Sequence, residues 1–203
     1  MSFQEPRTRI QIKNHRAILD AALEVFSQLG FGAATLDQIA KQAGMSKPNL
    51  LYYFPSKEAI YLRLLSELLE TWLDPLKEID PAGDPHDEIR KYVRGKLSMS
   101  REYPRESRLF AHEIMQGAPH LLEKLQSDLR QMVDEKAAVI DAWIAQGKIA
   151  PLDAHHLIFS IWSMTQHYAD FAVQVSAVLG PDRDAFAEAE AHLDAVFGRM
   201  LRV

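Results

Sequence analysis

The segment TLDQIAKQAGMSKPNLLYYFPSK, residues 35–57, predicts two short helices joined by a tight turn. Its first half places apolar residues at helical spacing, namely Leu36, Ile39, Ala40 and Ala43. Gly44 then provides the backbone freedom that a helix C-terminus requires. Ser46 is a favourable N-cap for the second helix, and Pro48 falls in the first turn, where proline is tolerated. The segment therefore has the pattern of a helix-turn-helix.

The second helix of this segment has two chemically different sides. Its apolar side, formed by Leu50, Tyr53 and Phe54, faces back toward the first helix. Its other side presents Lys47, Pro48, Asn49 and Tyr52 to solvent. A short helix with small, polar and basic residues at its exposed N-terminal end fits the major groove of B-DNA. The alternative is an ordinary helical hairpin within a bundle.

Residues 13–57 resemble the DNA-binding domain of the TetR family of bacterial repressors. The matching features are FSQLGF at 26–31, Thr35, Ile39-Ala40, AGMSK at 43–47 and YFPSKE at 53–58. Leu51 departs from the family pattern, in which this position is often a tyrosine that contacts phosphate; Tyr52 or Tyr53 could take over that contact. The expected DNA-binding residues are Thr35, Ser46, Lys47, Pro48, Asn49, Tyr52, Tyr53 and Lys57.

Residues 1–12 are expected to form a flexible arm. Arg7 and Arg9 could reach phosphates or the minor groove, as the arms of other helix-turn-helix proteins do. The alternative is a solvated terminus without a role in binding.

The composition excludes several classes of protein. The 203 residues contain no cysteine and are 47% hydrophobic, so disulfides, thiolate metal sites and thiol redox sensing are excluded while a substantial core can form. The N-terminus lacks the apolar stretch of a signal peptide, and no apolar run is long enough to span a membrane. We expect a cytoplasmic protein.

Charge is distributed unevenly along the chain. Residues 1–57 carry seven basic and four acidic side chains, a net charge of +3, and because the whole chain carries −5 the remainder carries −8. One basic end on an acidic body agrees with a protein that binds nucleic acid at that end.

The remainder of the chain predicts helices throughout. Ser56 caps a connecting helix that is expected to run to about Leu73 and to end at Pro75. The last two helices are predicted at Asp153–Val178 and Asp184–Arg202, where they would form a four-helix dimer interface through Leu157, Ile161, Phe186, Leu193, Val196 and Phe197. The predicted fold is all-α, with an N-terminal arm and three-helix DNA-binding domain at residues 1–57 and a helical ligand-binding and dimerisation domain at residues 58–203.

A second informative stretch, WSMTQHYADF, occupies residues 162–171. Trp162, Gln166 and Ala169 share one helix face, and a glutamine among apolar residues is costly to bury without partners. Gln166 could bond to a backbone group or lie at a dimer interface. Alternatively, its amide could pair in two-point fashion with the lactam edge of a pyrimidine between aromatic walls. The predicted ligand-binding residues are Trp72, Ser107, Phe110, Met115, Trp162 and Gln166.

Several segments resemble, more closely, the TetR-type regulators of pyrimidine utilisation. They are NLLYYFPSKEA at 49–59, SRLF at 107–110, GAP at 117–119, LIF at 157–159 and TQHYADF at 165–171. The resemblance implies an effector such as uracil or thymine.

Catalysis and metal binding are both disfavoured. No nucleophile–base arrangement, phosphate-binding loop or metal-hydrolase motif is present, and the eight histidines lack the spacing of metal ligands. The sequence therefore predicts a homodimeric DNA-binding repressor without a cofactor, bound to a pseudo-palindromic operator and released by a small ligand. A TetR-type regulator with another flat ligand, and less favoured a metal sensor, are the alternatives.

Overall fold

The computed structural model describes residues 8–203, and these residues form helices joined by short turns. The helices are α1 Arg9–Ala33, α2 Leu36–Gln42, α3 Lys47–Tyr53, α4 Lys57–Lys77, α5 Pro85–Glu102, α6 Pro104–Met115, α7 Leu122–Lys124, α8 Arg130–Ala145, α9 Ala154–Asp170, α10 Ala172–Leu179 and α11 Ala185–Met200. A π-helical turn, Leu125–Leu129, joins α7 to α8. The all-α prediction is confirmed, since these residues contain no strand.

The chain divides into two compact units. The first consists, within the described part of the chain, of residues 8–69 and 108–121; the second consists of residues 70–107 and 122–203. Helices α4 and α6 each contribute residues to both units. The functional division at residue 57 stays a prediction.

The first unit is built around fully buried apolar side chains from the N-terminal helices. Helix α2 packs on α1 and on α3, and the core includes Ile18, Phe26, Ile39, Leu50, Phe54, Ile60 and Tyr61. Segment 108–121 contributes a buried carboxylate, Glu113, which accepts from the Tyr61 hydroxyl at 3.2 Å and from the His120 backbone N–H at 2.7 Å. These bonds satisfy a carboxylate that would otherwise be costly to bury.

The second unit packs α5 against α9 and α11, and α8 against α9. Its core includes Ile89, Tyr92, Ile140, Trp143, Ile158, Ile161 and Phe197, each no more than 2% exposed. Asp84 caps α5 by accepting from the backbone N–H groups of His86 and Asp87. Asp153 caps α9 in the same way through the N–H of His156.

Two expected helix boundaries are wrong. Pro75 lies inside α4, which continues to Lys77, and a Cβ added at Gly95 of α5 would approach the Pro75 ring to 3.2 Å. The ring therefore packs where the neighbouring helix lacks a side chain. The predicted helix Asp153–Val178 is two helices, because the backbone leaves the helical region at Phe171 (φ −113°, ψ 30°). No glycine or proline marks that break.

Helix α1 begins earlier in the chain than expected. Helix α1 begins at Arg9 because Thr8 and Gln11 form a capping box, with the Gln11 N–H donating to the Thr8 hydroxyl at 3.2 Å and the Thr8 N–H donating to the Gln11 side chain at 3.0 Å. Arg9 is therefore helical. The expectation for Arg7 falls outside the described residues.

The side chains expected at a dimer interface are mostly internal. Leu157, Ile161, Leu193 and Phe197 are each at most 3% exposed within a single protomer, so they belong to the core of the second unit.

Within residues 8–203, no helix has the length and apolar character that crossing a bilayer requires.

Candidate DNA-binding surface and effector site

Helix α3 is fixed to the first unit by its apolar side and leaves its N-terminal end open. Leu50 and the following Phe54 are fully buried, whereas Lys47, Pro48 and Asn49 are exposed. The Ser46 hydroxyl caps the helix by accepting from the Asn49 N–H at 3.4 Å. The turn before it needs Gly44 in the left-handed region, at φ +68°, as expected from the sequence. The arrangement presents one rigid helix end to solvent.

An ion pair orients the exposed lysine of this helix. The Lys47 ammonium lies 2.8 Å from the Asp37 carboxylate of α2, and both side chains are largely exposed. A cation is unfavourable near a helix N-terminus, and Asp37 offsets that repulsion. An exposed pair of this kind adds little stability, so its main effect is to hold Lys47 beside the open end of α3. Asp37 was not among the residues expected from the sequence.

Thr35 begins α2 and also lies on the exposed surface. It forms a capping box with Gln38, whose side chain accepts from the Thr35 N–H at 2.9 Å and whose N–H donates to the Thr35 hydroxyl at 3.3 Å. The Thr35 hydroxyl also donates to the side-chain oxygen of Gln38 at 2.8 Å. Thr35 is therefore held in position by its own helix.

The two tyrosines of α3 have different surroundings. Tyr52 is 69% exposed, and its ring meets that of Tyr53 edge-on at 5.2 Å. The Tyr53 hydroxyl accepts from the Asn14 side chain of α1 at 2.8 Å. Because its own hydrogen remains available, Tyr53 can still donate to a phosphate. Leu51 is 39% exposed and offers no donor.

Lys57 is used mainly inside the protein. Its ammonium donates to the carbonyls of Phe31 at 2.7 Å and Ala34 at 2.9 Å, and it lies 4.4 Å from the centre of the Phe31 ring. Both carbonyls follow Gly30, where the backbone of α1 leaves the helical region (φ 73°, ψ 164°), so Lys57 fixes the segment that leads from α1 to α2. Two of its three hydrogens are thus bonded internally, and the expected phosphate contact can use only the third.

The predicted effector residues are divided between the two units. Trp72, Ser107, Trp162 and Gln166 belong to the second unit, whereas Phe110 and Met115 belong to the first. Met115 is 74% exposed. The two tryptophans have different aromatic neighbours, since the Trp72 ring lies 6.3 Å from Tyr103 and the Trp162 ring lies 5.5 Å from Phe159.

Trp162 and Gln166 occupy adjacent turns of α9. The Trp162 indole N–H donates to the Tyr92 hydroxyl at 2.6 Å, which fixes the ring against α5. Burial raises the pKa of Tyr92, so this phenol stays neutral at physiological pH. Gln166 is half-buried, and the Thr165 hydroxyl beside it is satisfied by the Ile161 carbonyl at 2.7 Å.

Ser107 is fully buried and donates to the Asp170 carboxylate at 2.6 Å. This bond joins the start of α6 to the end of α9 within the second unit. Asp170 lies in the segment singled out at 162–171, although it was not among the predicted ligand-binding residues.

Lys96 of α5 is a buried charged residue that sequence reasoning missed. It is 2% exposed, its ammonium donates to the Trp72 carbonyl at 3.4 Å, and it lies 5.5 Å from the centre of the Trp72 ring. Burial lowers the pKa of Lys96 to about 7, and the Asp170 charge acts in the opposite direction. Its spacing from Ile89, Tyr92 and Val93 on one helix face was the available signal.

Within residues 8–203, no group of three or more His, Cys, Asp or Glu side chains is placed to hold a metal ion.

The family comparisons cover nearly all of the chain. Residues 18–64 match the model described as bacterial regulatory proteins, tetR family, and residues 65–202 match the YcdC-like protein, C-terminal region. The chain belongs to the TetR family. It is a transcriptional regulator and not an enzyme.

The TetR-family assignment agrees with individual relatives. The HTH-type transcriptional regulator RutR of Escherichia coli K12 is 53% identical over 174 residues, which cover 86% of this chain and 82% of that protein. Members of the family bind operator DNA as dimers and respond to small-molecule effectors.

Solved structures share the fold of this TetR-family chain. A TetR-like transcriptional regulator from Rhodococcus sp. RHA1 has a TM-score of 0.70 at 21% identity and covers 97% of each chain. A bacterial regulatory protein of the tetR family from Rhodococcus RHA1 has a TM-score of 0.74 at 21% identity and covers 93% of this chain and 97% of that one.

Proposed function

We propose that this regulator is a cytoplasmic repressor whose operator binding is relieved by a small planar ligand, a pyrimidine such as uracil or thymine. The observation that carries the ligand class is the half-buried Gln166 amide, one turn from Trp162 on α9. An amide offers a donor and an acceptor side by side, as a pyrimidine lactam does. The 53% identity with RutR, an HTH-type transcriptional regulator, over most of both chains supports the regulatory part of the proposal.

Operator binding is assigned to the exposed end of α3. Lys47, Pro48 and Asn49 would reach base edges, with Ser46 beside them. Thr35, Tyr52 and Tyr53 would hydrogen-bond to phosphates of the DNA backbone. Lys57 would donate to a phosphate through the one ammonium hydrogen that is not bonded inside the protein. The ion pair of Lys47 with Asp37 would have to open or be shared as the lysine meets DNA.

A second copy of the chain would supply the other half-site contact. Two recognition helices spaced by the groove repeat suit a pseudo-palindromic operator. Because the predicted interface side chains are largely internal, the contact would use outward-facing ones, such as Phe159 at 46% exposure and Met200 at 40%.

Helix α4 provides a physical connection between ligand and DNA. It begins at Lys57, which holds the end of α1, and it carries Trp72 five residues before its end at Lys77. A ligand that shifts Trp72 would therefore act on the helix that also anchors the DNA-binding helices. By linkage, DNA would weaken ligand binding by the same factor, with a coupling of ~1–3 kcal/mol.

The test is an operator titration with and without uracil. Wild-type protein should release DNA when uracil is added, and Gln166→Leu should bind DNA normally and lose the response, because the lactam would be desolvated without a partner. Gln174→Leu, at an exposed glutamine of α10, is the matched control and should respond like wild type.

Two results would count against the proposal in different ways. A Gln166→Leu protein that releases DNA at the wild-type uracil concentration would refute the pairing. A wild-type protein that responds to no pyrimidine would refute the ligand class and leave the TetR-family assignment intact.

A further inference from the structure

The second unit contains two buried hydrogen-bond donors that the protein itself leaves poorly satisfied. The Trp72 side chain is 6% exposed, and its indole Nε1 is buried with no hydrogen-bond partner among residues 8–203. The Lys96 ammonium is 2% exposed, and its bond to the Trp72 carbonyl is 3.4 Å long, near the outer limit for a hydrogen bond. That bond occupies one of its three hydrogens.

These donors lie close together. The Lys96 nitrogen is 5.5 Å from the centre of the Trp72 ring, so the ammonium and the indole are direct neighbours in the second unit. The acceptor group near Lys96 is the Asp170 carboxylate, and it already accepts a hydrogen bond from Ser107 at 2.6 Å. The cluster therefore offers donors rather than acceptors to anything that enters it.

The Trp72 carbonyl and the Trp72 ring offset only part of the cost of burying these donors. A buried ammonium and an unpaired indole N–H each cost stability, and an apolar residue at position 96 would avoid the larger cost. Neither α5 nor α4 needs a charge at these positions, since their neighbouring residues Val93, Leu97 and Leu76 are buried and apolar. Ligand acceptors would satisfy both groups at once.

We propose that Lys96 and the Trp72 indole N–H are the donor pair of the effector site and select ligands whose facing edge carries carbonyl or oxyanion oxygens. The proposal deepens the proposed function and rests on it for the choice of probes. Gln166 would read the lactam edge, whereas the donor pair requires a carbonyl on another edge of the same ring. Uracil has two carbonyl groups, cytosine has one, and a diaminopyrimidine has none.

Calorimetric titration of the full-length protein with these three probes tests the selection. Uracil should bind most tightly and the diaminopyrimidine most weakly, with a loss of about 10-fold for each carbonyl removed. Lys96→Met should weaken uracil binding about 10-fold or more and reduce the differences among the probes. Trp72→Phe retains an aromatic ring without the N–H and should weaken uracil binding by a smaller factor.

The control variant is Lys91→Met, which removes the same charge from an exposed position on the same helix. Lys91 lies 3.4 Å from Glu78 at the surface, and its loss should leave uracil binding unchanged. Operator binding without ligand reports that each variant is folded.

The outcomes separate this proposal from the proposed function. If Lys96→Met binds uracil as wild type does, the donor pair is refuted while the pyrimidine assignment stands. Benzoate tests whether the donor pair binds the oxygens of a carboxylate ligand instead of the carbonyls of a pyrimidine. If wild type binds benzoate but no pyrimidine, and Lys96→Met loses that binding, the donor pair stands and the pyrimidine class falls. Preferential binding of the diaminopyrimidine, or no binding of any probe, overturns the donor pair.

Discussion

Replacing Lys96 with methionine should stabilise the ligand-free protein, and the gain should shrink as the pH rises. Methionine fills the space of the lysine stem without a charge, so packing around α5 is retained. Burial lowers the pKa of Lys96 from 10.5 to about 7. The same burial that makes the side chain useful to a ligand therefore makes it costly without one.

The size and sign of the effect follow from proton linkage. A fall in the pKa from 10.5 to about 7 corresponds to ~5 kcal/mol between the charged and neutral forms. Below about pH 7 the lysine is protonated in both folded and unfolded chains, and the folded protein bears the whole cost. Between about pH 7 and 10.5 only the unfolded chain holds the proton, so wild-type stability rises with pH by up to ~1.4 kcal/mol per pH unit. Relaxation reduces the gain from methionine to about 1–4 kcal/mol near neutral pH.

Urea unfolding at equal protomer concentration measures this difference. Wild type, Lys96→Met and the Lys91→Met control are compared from about pH 6 to about pH 10. The charge of Asp170 attracts the Lys96 ammonium and so acts against the lowering of its pKa. The raised pKa of Tyr92 keeps that phenol neutral in this pH range. Parallel stability curves for wild type and Lys96→Met would show that the buried lysine does not carry the expected cost.

Three further predictions concern DNA binding, the first unit and assembly. Asn49→Ala should reduce discrimination between operator and unrelated DNA by about 1–3 kcal/mol in a binding titration, and unchanged discrimination would remove Asn49 from the base contacts. Lys57→Ala should lower the free energy of unfolding by about 2–4 kcal/mol, because two carbonyls at the end of α1 lose their donor, whereas Lys41→Ala on the surface of α2 should not. A loss of DNA affinity without a loss of stability would instead favour a phosphate role for Lys57. Sedimentation should give a dimer for the full chain, and truncation before Asp184 should unfold the second unit because it removes buried side chains of α11; a soluble full-length monomer at micromolar concentration would contradict the dimer.

The helix-turn-helix at residues 35–57 could be predicted from the sequence because it depends on local interactions. The turn needs a left-handed residue, and Gly44 supplies it; the next helix needs a cap, and Ser46 supplies it. The apolar residues of α3 face inward at helical spacing, which leaves Lys47 and Asn49 outside. Each of these features depends on residues within about one turn of one another, so they are visible without a tertiary structure.

The same local reading was insufficient where a distant partner decides the outcome. Pro75 lies inside α4, which continues to Lys77, and its ring packs beside Gly95, twenty residues later in the chain. Leu193 and Phe197 are core residues and not interface residues, because α5 lies against α11. The periodicity of an apolar face does not distinguish burial within a protomer from burial between two.

Helix periodicity, caps and turn residues act over a few positions, and they were enough to predict an all-α regulator with a helix-turn-helix. The use of its charged side chains depends on contacts between segments that are distant in the chain. Lys57 holds carbonyls 26 and 23 residues away, and Lys96 donates to the carbonyl of Trp72, 24 residues away. A lysine in a sequence is by default a solvated surface charge, and its pKa and partners change only when other helices exclude water from it.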